Sequence, residues 1–406
     1  MGQIRYYRCS FTPLGGYFFG GERNFPFGLQ SLNEKKDYYV SSEDFPSQAT
    51  LWGTLRFMLL EKAGLLNNGA FASNPADDAF LKRQEVLIGS NGFSMSFKDT
   101  FNPYGILKRA TPLFIYDKRK GSRLIPAPLN HRVQTGKNIE GGDPDIGTGP
   151  DSVSHNSSNE KYAPLKMIYR EGMNTDLGDD ALLPEDYSAK SGLTDMFLSL
   201  DDNNALVKRN DVIGVLTQTR IARELEQGGL FKMEYKYLKG GYSFSVMIEV
   251  DIPEAMLLPG REEQPFCNSG TVFMGMDKSA FCYEVTEIDK KTFEELENDI
   301  KKIRMTGRDD FNVYYAASDC YKNTGQITSS LFWIMQKKNL RTLEKQDGKD
   351  YYSSMKKSRL YQMIKAGSVF YVKKDKAAEE EFLAQFAYPG LSQIGFNHVL
   401  KTGERV

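Results

Sequence analysis

The sequence predicts an α+β protein made of two tandem ferredoxin-like (RRM-like) units with long insertions. Each half of the 406 residues sets strand-like runs before and between two helical segments, the order that a β-α-β-β-α-β unit requires. The length leaves room for two cores, and 40% hydrophobic with 26% charged residues is ordinary globular material. A change of character near Leu206 places one unit at 1–205, with an insertion around 135–184, and the other at 206–406.

In the first unit Ile4 to Cys9 alternates aromatic and β-branched residues, as a pleated strand does. Phe45-Pro46 forces an extended entry, and Ser47 is placed to cap a helix running to Leu66. Along it Leu51, Leu55, Met58 and Leu59 share one face, with Thr54, Arg56 and Glu61 expected to point elsewhere. Strand-like runs follow at Gly92 to Phe97, Leu113 to Tyr116 and Leu165 to Tyr169. Between Gly136 and Tyr162 large apolar residues almost vanish, so this segment is expected to be a loop or to order on a partner.

In the second unit Asp211 to Thr217, Gly229 to Tyr237 and Tyr242 to Asp251 read as strands, with Gly240-Gly241 as a hairpin turn. Phe293, Leu296, Ile300 and Ile303 recur at helical spacing within Lys290 to Met305, and Lys376 to Phe386 is a second helix. Strands at Asn312 to Ala316, Leu331 to Gln336, Leu360 to Ile364, Ser368 to Val372 and Gly395 to Leu400 surround them.

Composition narrows the chemistry. No apolar run approaches the roughly 18 to 20 residues that span a bilayer, and Met1 to Ser10 lacks a signal-peptide core, so a cytoplasmic protein without a membrane partner is expected. The four cysteines have no CxxC spacing and the three histidines are scattered, a poor supply for a metal site; no cofactor is expected. Net charge is −1, yet the charges are segregated. Gly105 to Lys137 holds eight basic residues, among them Arg132, against Asp117 alone, and Phe332 to Lys376 holds twelve against four acids. Glu171 to Asp202 reverses this with nine acids and only Lys190. Such a chain presents basic surfaces to one partner and an acidic surface to another.

Several residues suit nucleic acid. A glycine loop lets a phosphate backbone approach, because no Cβ intervenes and successive N–H groups converge on the anion. Gly390 and Gly395 bracket one such loop, followed by Asn397, His398 and Lys401. Gly15-Gly16, with Arg23 nearby, form another. Lys108, Arg109, Lys118, Arg119 and Arg123 interleave with Phe114 and Tyr116, the mix of charge and rings that single-stranded RNA rewards.

The strand and glycine turn at Phe11 to Phe25, the LWGTLR helix and the closing PGLSQIGFNHVL at Pro389 to Leu400 together resemble the RAMP superfamily of CRISPR RNA-binding proteins. Pro112 to Leu129 with its PAPL turn, Lys208 to Glu234 and Tyr361 to Tyr371 are similar to the third subunit of type III-B (Cmr-type) effector complexes. The resemblance implies the same tandem architecture, and it makes the terminal loop and Arg56 contacts to guide RNA. It further implies a non-catalytic subunit that holds the repeat-derived 5′ tag of the crRNA. Such a subunit joins the large polymerase-like subunit to the backbone RAMP subunits, meets target RNA only indirectly, and serves antiviral defence. Two alternatives stay open: a guide-processing endoribonuclease using His131 or His398, and the equivalent capping subunit of a type III-A complex.

Overall fold

The computed structural model describes residues 2–24, 38–66, 78–89, 95, 98, 104–134, 153–154, 161–164, 167–170, 181–184, 196–222, 229–253, 264–275, 277–303, 305, 311–322, 327–345 and 355–403. Most of the 135–184 segment and most of Gly92 to Phe97 lie outside this set; the short strands Val153–Ser154, Lys161–Pro164, Met167–Arg170 and Ala181–Pro184 lie within it.

Helices and mostly antiparallel sheets make this an α+β chain. The largest sheet has nine strands. Its path runs Leu206–Lys208, Met196–Ser199, Ser122–Pro126, Phe114–Asp117, Tyr242–Ile252, Gln3–Pro13, Ser279–Ile288 and Ser269–Met274, and Leu107–Ala110 also pairs with Tyr242–Ile252. Every pairing in it is antiparallel. Strands from either side of residue 205 therefore share one sheet. A second sheet orders Ser330–Ile334, Val369–Lys373, Phe311–Ala316 and Val399–Lys401, again antiparallel. A third holds the hairpin Ile213–Ala222 and Gly229–Leu238 beside Tyr38–Ser42 and Gly20–Asn24.

Period-two alternation assigns the faces. Tyr7, Cys9 and Phe11 face the same core as Phe244, Val246 and Ile248 across the register, and helix Gln48–Lys62 closes that core with Leu51, Trp52, Leu55, Met58 and Leu59. Ser47 caps this helix by accepting from the Thr50 N–H at 3.1 Å. The helix is more enclosed than its sequence suggests. Thr54 and Arg56, expected on the open side, are buried, because the helix Asp78–Ile88 and the strand Ser269–Met274 pack on faces that a simple amphipathic pattern leaves to water.

Helix Lys290–Lys301 lies in a second core between the two large sheets. Its Phe293, Leu296 and Ile300 meet Phe114 and Met247 of the nine-stranded sheet and Val313, Tyr315 and Tyr371 of the second. Asp289 caps it, accepting from the Thr292 N–H at 2.7 Å. Burying a side chain of Leu296 size is worth about 2 kcal/mol, and truncating it to alanine costs about 2–5 kcal/mol once the cavity is included. The opposite face of the second sheet, with Tyr314, Phe370 and Val372, is covered by Phe382 and Phe386 from helix Lys376–Ala384 and its end.

Candidate nucleic-acid interface

The terminal loop is a packed element. Helix Pro389–Gln393 starts on a proline, whose missing N–H would be unpaired in a first turn anyway. The Gly390 N–H donates to the Lys98 carbonyl at 3.1 Å. Leu391, Ile394 and Phe396 then enter the first core, so the expected strand from Gly395 shortens to Val399–Lys401.

Gly395 has φ +93°, and a Cβ there would stand 2.7 Å from the Thr111 carbonyl oxygen and 3.0 Å from the Gln48 amide. The space that its missing side chain leaves is filled by the chain itself. Asn397, at φ +58°, is equally occupied: its amide accepts from the Tyr321 N–H at 2.7 Å and donates to the Tyr321 and Phe386 carbonyls at 3.0 Å each. His398 has Glu297 3.2 Å from Nδ1 and the Ser392 carbonyl 3.3 Å from Nε2. The hydrogen bond from His398 holds the Glu297 carboxyl below its usual range, against the effect of burial. Lys401 reaches Glu379 at 3.1 Å, where Tyr314 and Asn312 also donate.

The basic run of the first half folds into ion pairs with carboxylates from elsewhere. Lys108 faces Asp251 at 3.6 Å, Arg109 faces Glu249 at 3.4 Å and lies over Phe293, and Lys118 meets Glu284 at 2.7 Å. Arg119 pairs with Asp117 at 3.1 Å and covers the Tyr242 ring. Arg123 is clasped between Asp201 and Asp299, the latter at 2.7 Å, and burial separates this pair from water. The others lie at the surface, where such pairs are weak and exchange partners readily. Arg23 and Arg132 sit on the strands Gly20–Asn24 and His131–Gln134. Arg56 is only 8% exposed, near the Tyr104 hydroxyl, which burial pushes up to about 12.

At the first glycine loop Gly15 is exposed with open space where a Cβ would stand, while Gly16 backs onto Tyr235. The following Tyr17, Phe18 and Phe19 are buried among core rings.

A cleft with about 800 Å³ of empty space opens where residues 43–48, 196–197 and 209 meet 317–319, 336–338 and 365–366. Phe45, Leu113 and Phe197 give it an apolar floor, and Gln48, which touches Gly395, is part of its wall. Its charges are set in place: Lys338 meets Asp319 at 2.6 Å, and Asp44 receives Arg209 at 2.5 Å and Lys236 at 2.7 Å. Burial raises the Asp44 pKa, but the hydrogen bonds and charges of Arg209 and Lys236 outweigh it and bring it to about 2. Sequence reasoning missed this constellation. Its members are scattered from Asp44 to Lys365, and no spacing marks residues that only the sheet order brings together.

Of the histidines weighed for catalysis, His131 is buried beside Asn130, and burial lowers its pKa to about 4. His155 lies outside the described residues. Among the described residues no group of three or more His, Cys, Asp or Glu is placed to hold a metal ion, and no helix is long and apolar enough to cross a membrane.

Comparison with known proteins gives a family. The model for CRISPR-associated protein (Cas_Cmr3) matches residues 9–402, in line with the resemblance drawn from the sequence. No curated protein matches. Among solved structures, a chain of the type III-B Cmr-beta complex bound to cognate target RNA is 12% identical, with a TM-score of 0.42, covering 97% of this chain and 96% of that one. A chain of the same complex with AMPPnP is 13% identical, with a TM-score of 0.40 over 97% and 95%. One from the Csm3-Csm4 subcomplex of the type III-A interference complex is 10% identical, with a TM-score of 0.30 over 91% and 92%. These structural likenesses are too slight to argue from; the family model spans nearly the whole chain, and the protein belongs to the Cas_Cmr3 family of CRISPR-associated proteins.

Proposed function

We propose that this chain is a non-catalytic RNA-binding subunit of a type III-B effector complex. In this reading it holds the repeat-derived 5′ tag of the crRNA and bridges the large polymerase-like subunit to the backbone RAMP subunits. The observation that carries the reading is family membership over residues 9–402. The strand orders support the architecture that goes with it. In chain order, Gln3–Pro13, Phe114–Asp117, Tyr242–Ile252 and Ser279–Ile288 lie side by side as fourth, first, third, second. The strands Phe311–Ala316, Ser330–Ile334, Val369–Lys373 and Val399–Lys401 repeat that order. Order 4-1-3-2 in an antiparallel sheet is that of a ferredoxin-like unit, and each copy keeps one flanking helix, Gln48–Lys62 or Lys376–Ala384. The first unit would then draw strands from both sides of residue 205.

The tag would lie along the cleft between the units. Arg209, Lys338 and Lys365 face it, and the apolar floor accepts a base. Gly390, Gly395 and Asn397 would shape the cleft wall from behind rather than touch RNA. The surface cations Lys108, Lys118 and Arg119 would exchange carboxylates for phosphates along the approach. Histidine chemistry finds little support, since His131 is shielded from solvent and both ring nitrogens of His398 face protein acceptors.

Purification of the tagged chain from its native host, with sequencing of bound RNA, tests the reading. Short RNAs sharing one repeat-derived 5′ end are expected. RNA-free monomer would overturn it.

A further inference from the structure

Ile213–Ala222 is the longest sheet edge among the described residues, and nothing in its sequence guards it. All ten residues pair in unbroken register with Gly229–Leu238, while the strand's other side has no partner among the described residues. Natural edges are kept from pairing by being short, bulged, charged or interrupted by proline. The Leu206–Lys208 edge of the nine-stranded sheet is such a case, at three residues. Ile213–Ala222 has no proline, no acid and one charge, Arg220. Val215 and Leu216, on opposite faces, are 46% and 45% exposed.

The hairpin is also held still. Arg209 and Lys236 grip Asp44 at its base. Farther out, Tyr235 donates to Asp277 at 2.5 Å and Arg220 reaches the same carboxylate at 3.1 Å. The Tyr237 ring lies across Gly214, where a Cβ would be 2.1 Å from it. A rigid unpaired edge loses little entropy on gaining a neighbour.

We propose that the outer edge of Ile213–Ala222 accepts an added β-strand, an acidic extended segment from another protein subunit. The inference rests on the reading that the chain works inside a multisubunit complex. A β edge presents N–H donors and C=O acceptors alternately, which a second peptide backbone satisfies in full. Phosphates only accept, so RNA would leave the carbonyls unpaired. Acidity follows from charge: the described residues 206–222 and 229–240 carry six basic residues against Asp211 and Glu234. The same excess sets a second copy of this hairpin against itself.

Hydrogen–deuterium exchange on the full chain tests this in three states: alone, with guide RNA, and in the complex purified from the native host. The amides of 213–222 that do not bond to 229–238 should exchange rapidly in the first two and slow by about a hundredfold in the third, as amides closed in a ladder do. Val215→Glu with Leu216→Glu should abolish that slowing without changing circular dichroism, since both side chains are exposed. Slowing by guide RNA alone, slowing that depends on chain concentration without other subunits, or unchanged exchange in an intact complex would each overturn the proposal. An intact complex with unchanged exchange leaves the complex reading standing; a chain purified alone removes both.

Discussion

Gly395 rests against Gln48, with only 3.0 Å between the place a Cβ would take and the Gln48 side-chain amide, and with the Thr111 carbonyl closer still. The C-terminal loop and the start of the first long helix are thereby fixed to each other. A glycine is needed twice over: for φ +93° and for that approach.

Gly395→Ala should therefore act on folding first. A side chain at positive φ, pressed on a backbone oxygen, is expected to cost about 1–3 kcal/mol. A lower urea midpoint with unchanged slope checks this. Wild-type stability would mean that the loop relaxes away from Gln48.

His131 should make stability fall between neutral and mildly acidic pH. Burial lowers its pKa from 6.5 to about 4, so below pH 6.5 the unfolded chain binds a proton that the folded chain refuses. The stabilisation is present above 6.5 and is lost as pH falls toward 4, up to on the order of 3 kcal/mol. Urea unfolding at pH 7.5 and pH 5 should show the loss in the wild type and a smaller one in His131→Gln.

Asp44 should be costly to neutralise. Asp44→Asn leaves Arg209 and Lys236, both largely shielded from solvent, without their counter-charge, and about 3 kcal/mol is expected from such a break. Adding Lys236→Met should recover part of the loss, because one uncompensated cation is removed. A double variant no better than the single would argue that the two groups are not coupled.

His398→Ala should leave the length distribution of guide RNA in cells unchanged, since the proposed subunit holds a product made elsewhere. Loss of mature guides with the protein still folded would favour the endoribonuclease reading. The same variant removes the hydrogen bond at Glu297, so a modest drop in thermal stability is the expected structural trace.

Much of the fold was legible where local chemistry decides it. Ser47, in front of a helical pattern, announced its cap, and the 293–296–300 spacing announced the helix between the sheets. Arg56 was misread because enclosure by Asp78–Ile88 is a tertiary fact that no helical period carries. The terminal motif was recognisable, but its glycines read as room for RNA when the room is taken by Thr111 and Gln48. Basic runs were visible as runs; their carboxylate partners, such as Asp251 for Lys108 and Glu284 for Lys118, come from strands more than a hundred residues away. The cleft was invisible for the same reason.

The place of Gln3–Pro13 in the nine-stranded sheet has a consequence for synthesis. Gln3 pairs with Ile252 on one side and Tyr6 with Ile288 on the other, so the first strand to leave the ribosome has neither neighbour until the chain has grown to Ile288. At roughly 5–20 residues per second that wait is roughly 15 to 60 s. Tyr7, Cys9 and Phe11 spend it without the strands that will bury them, and any transcript broken before residue 288 yields a chain whose central sheet can never close.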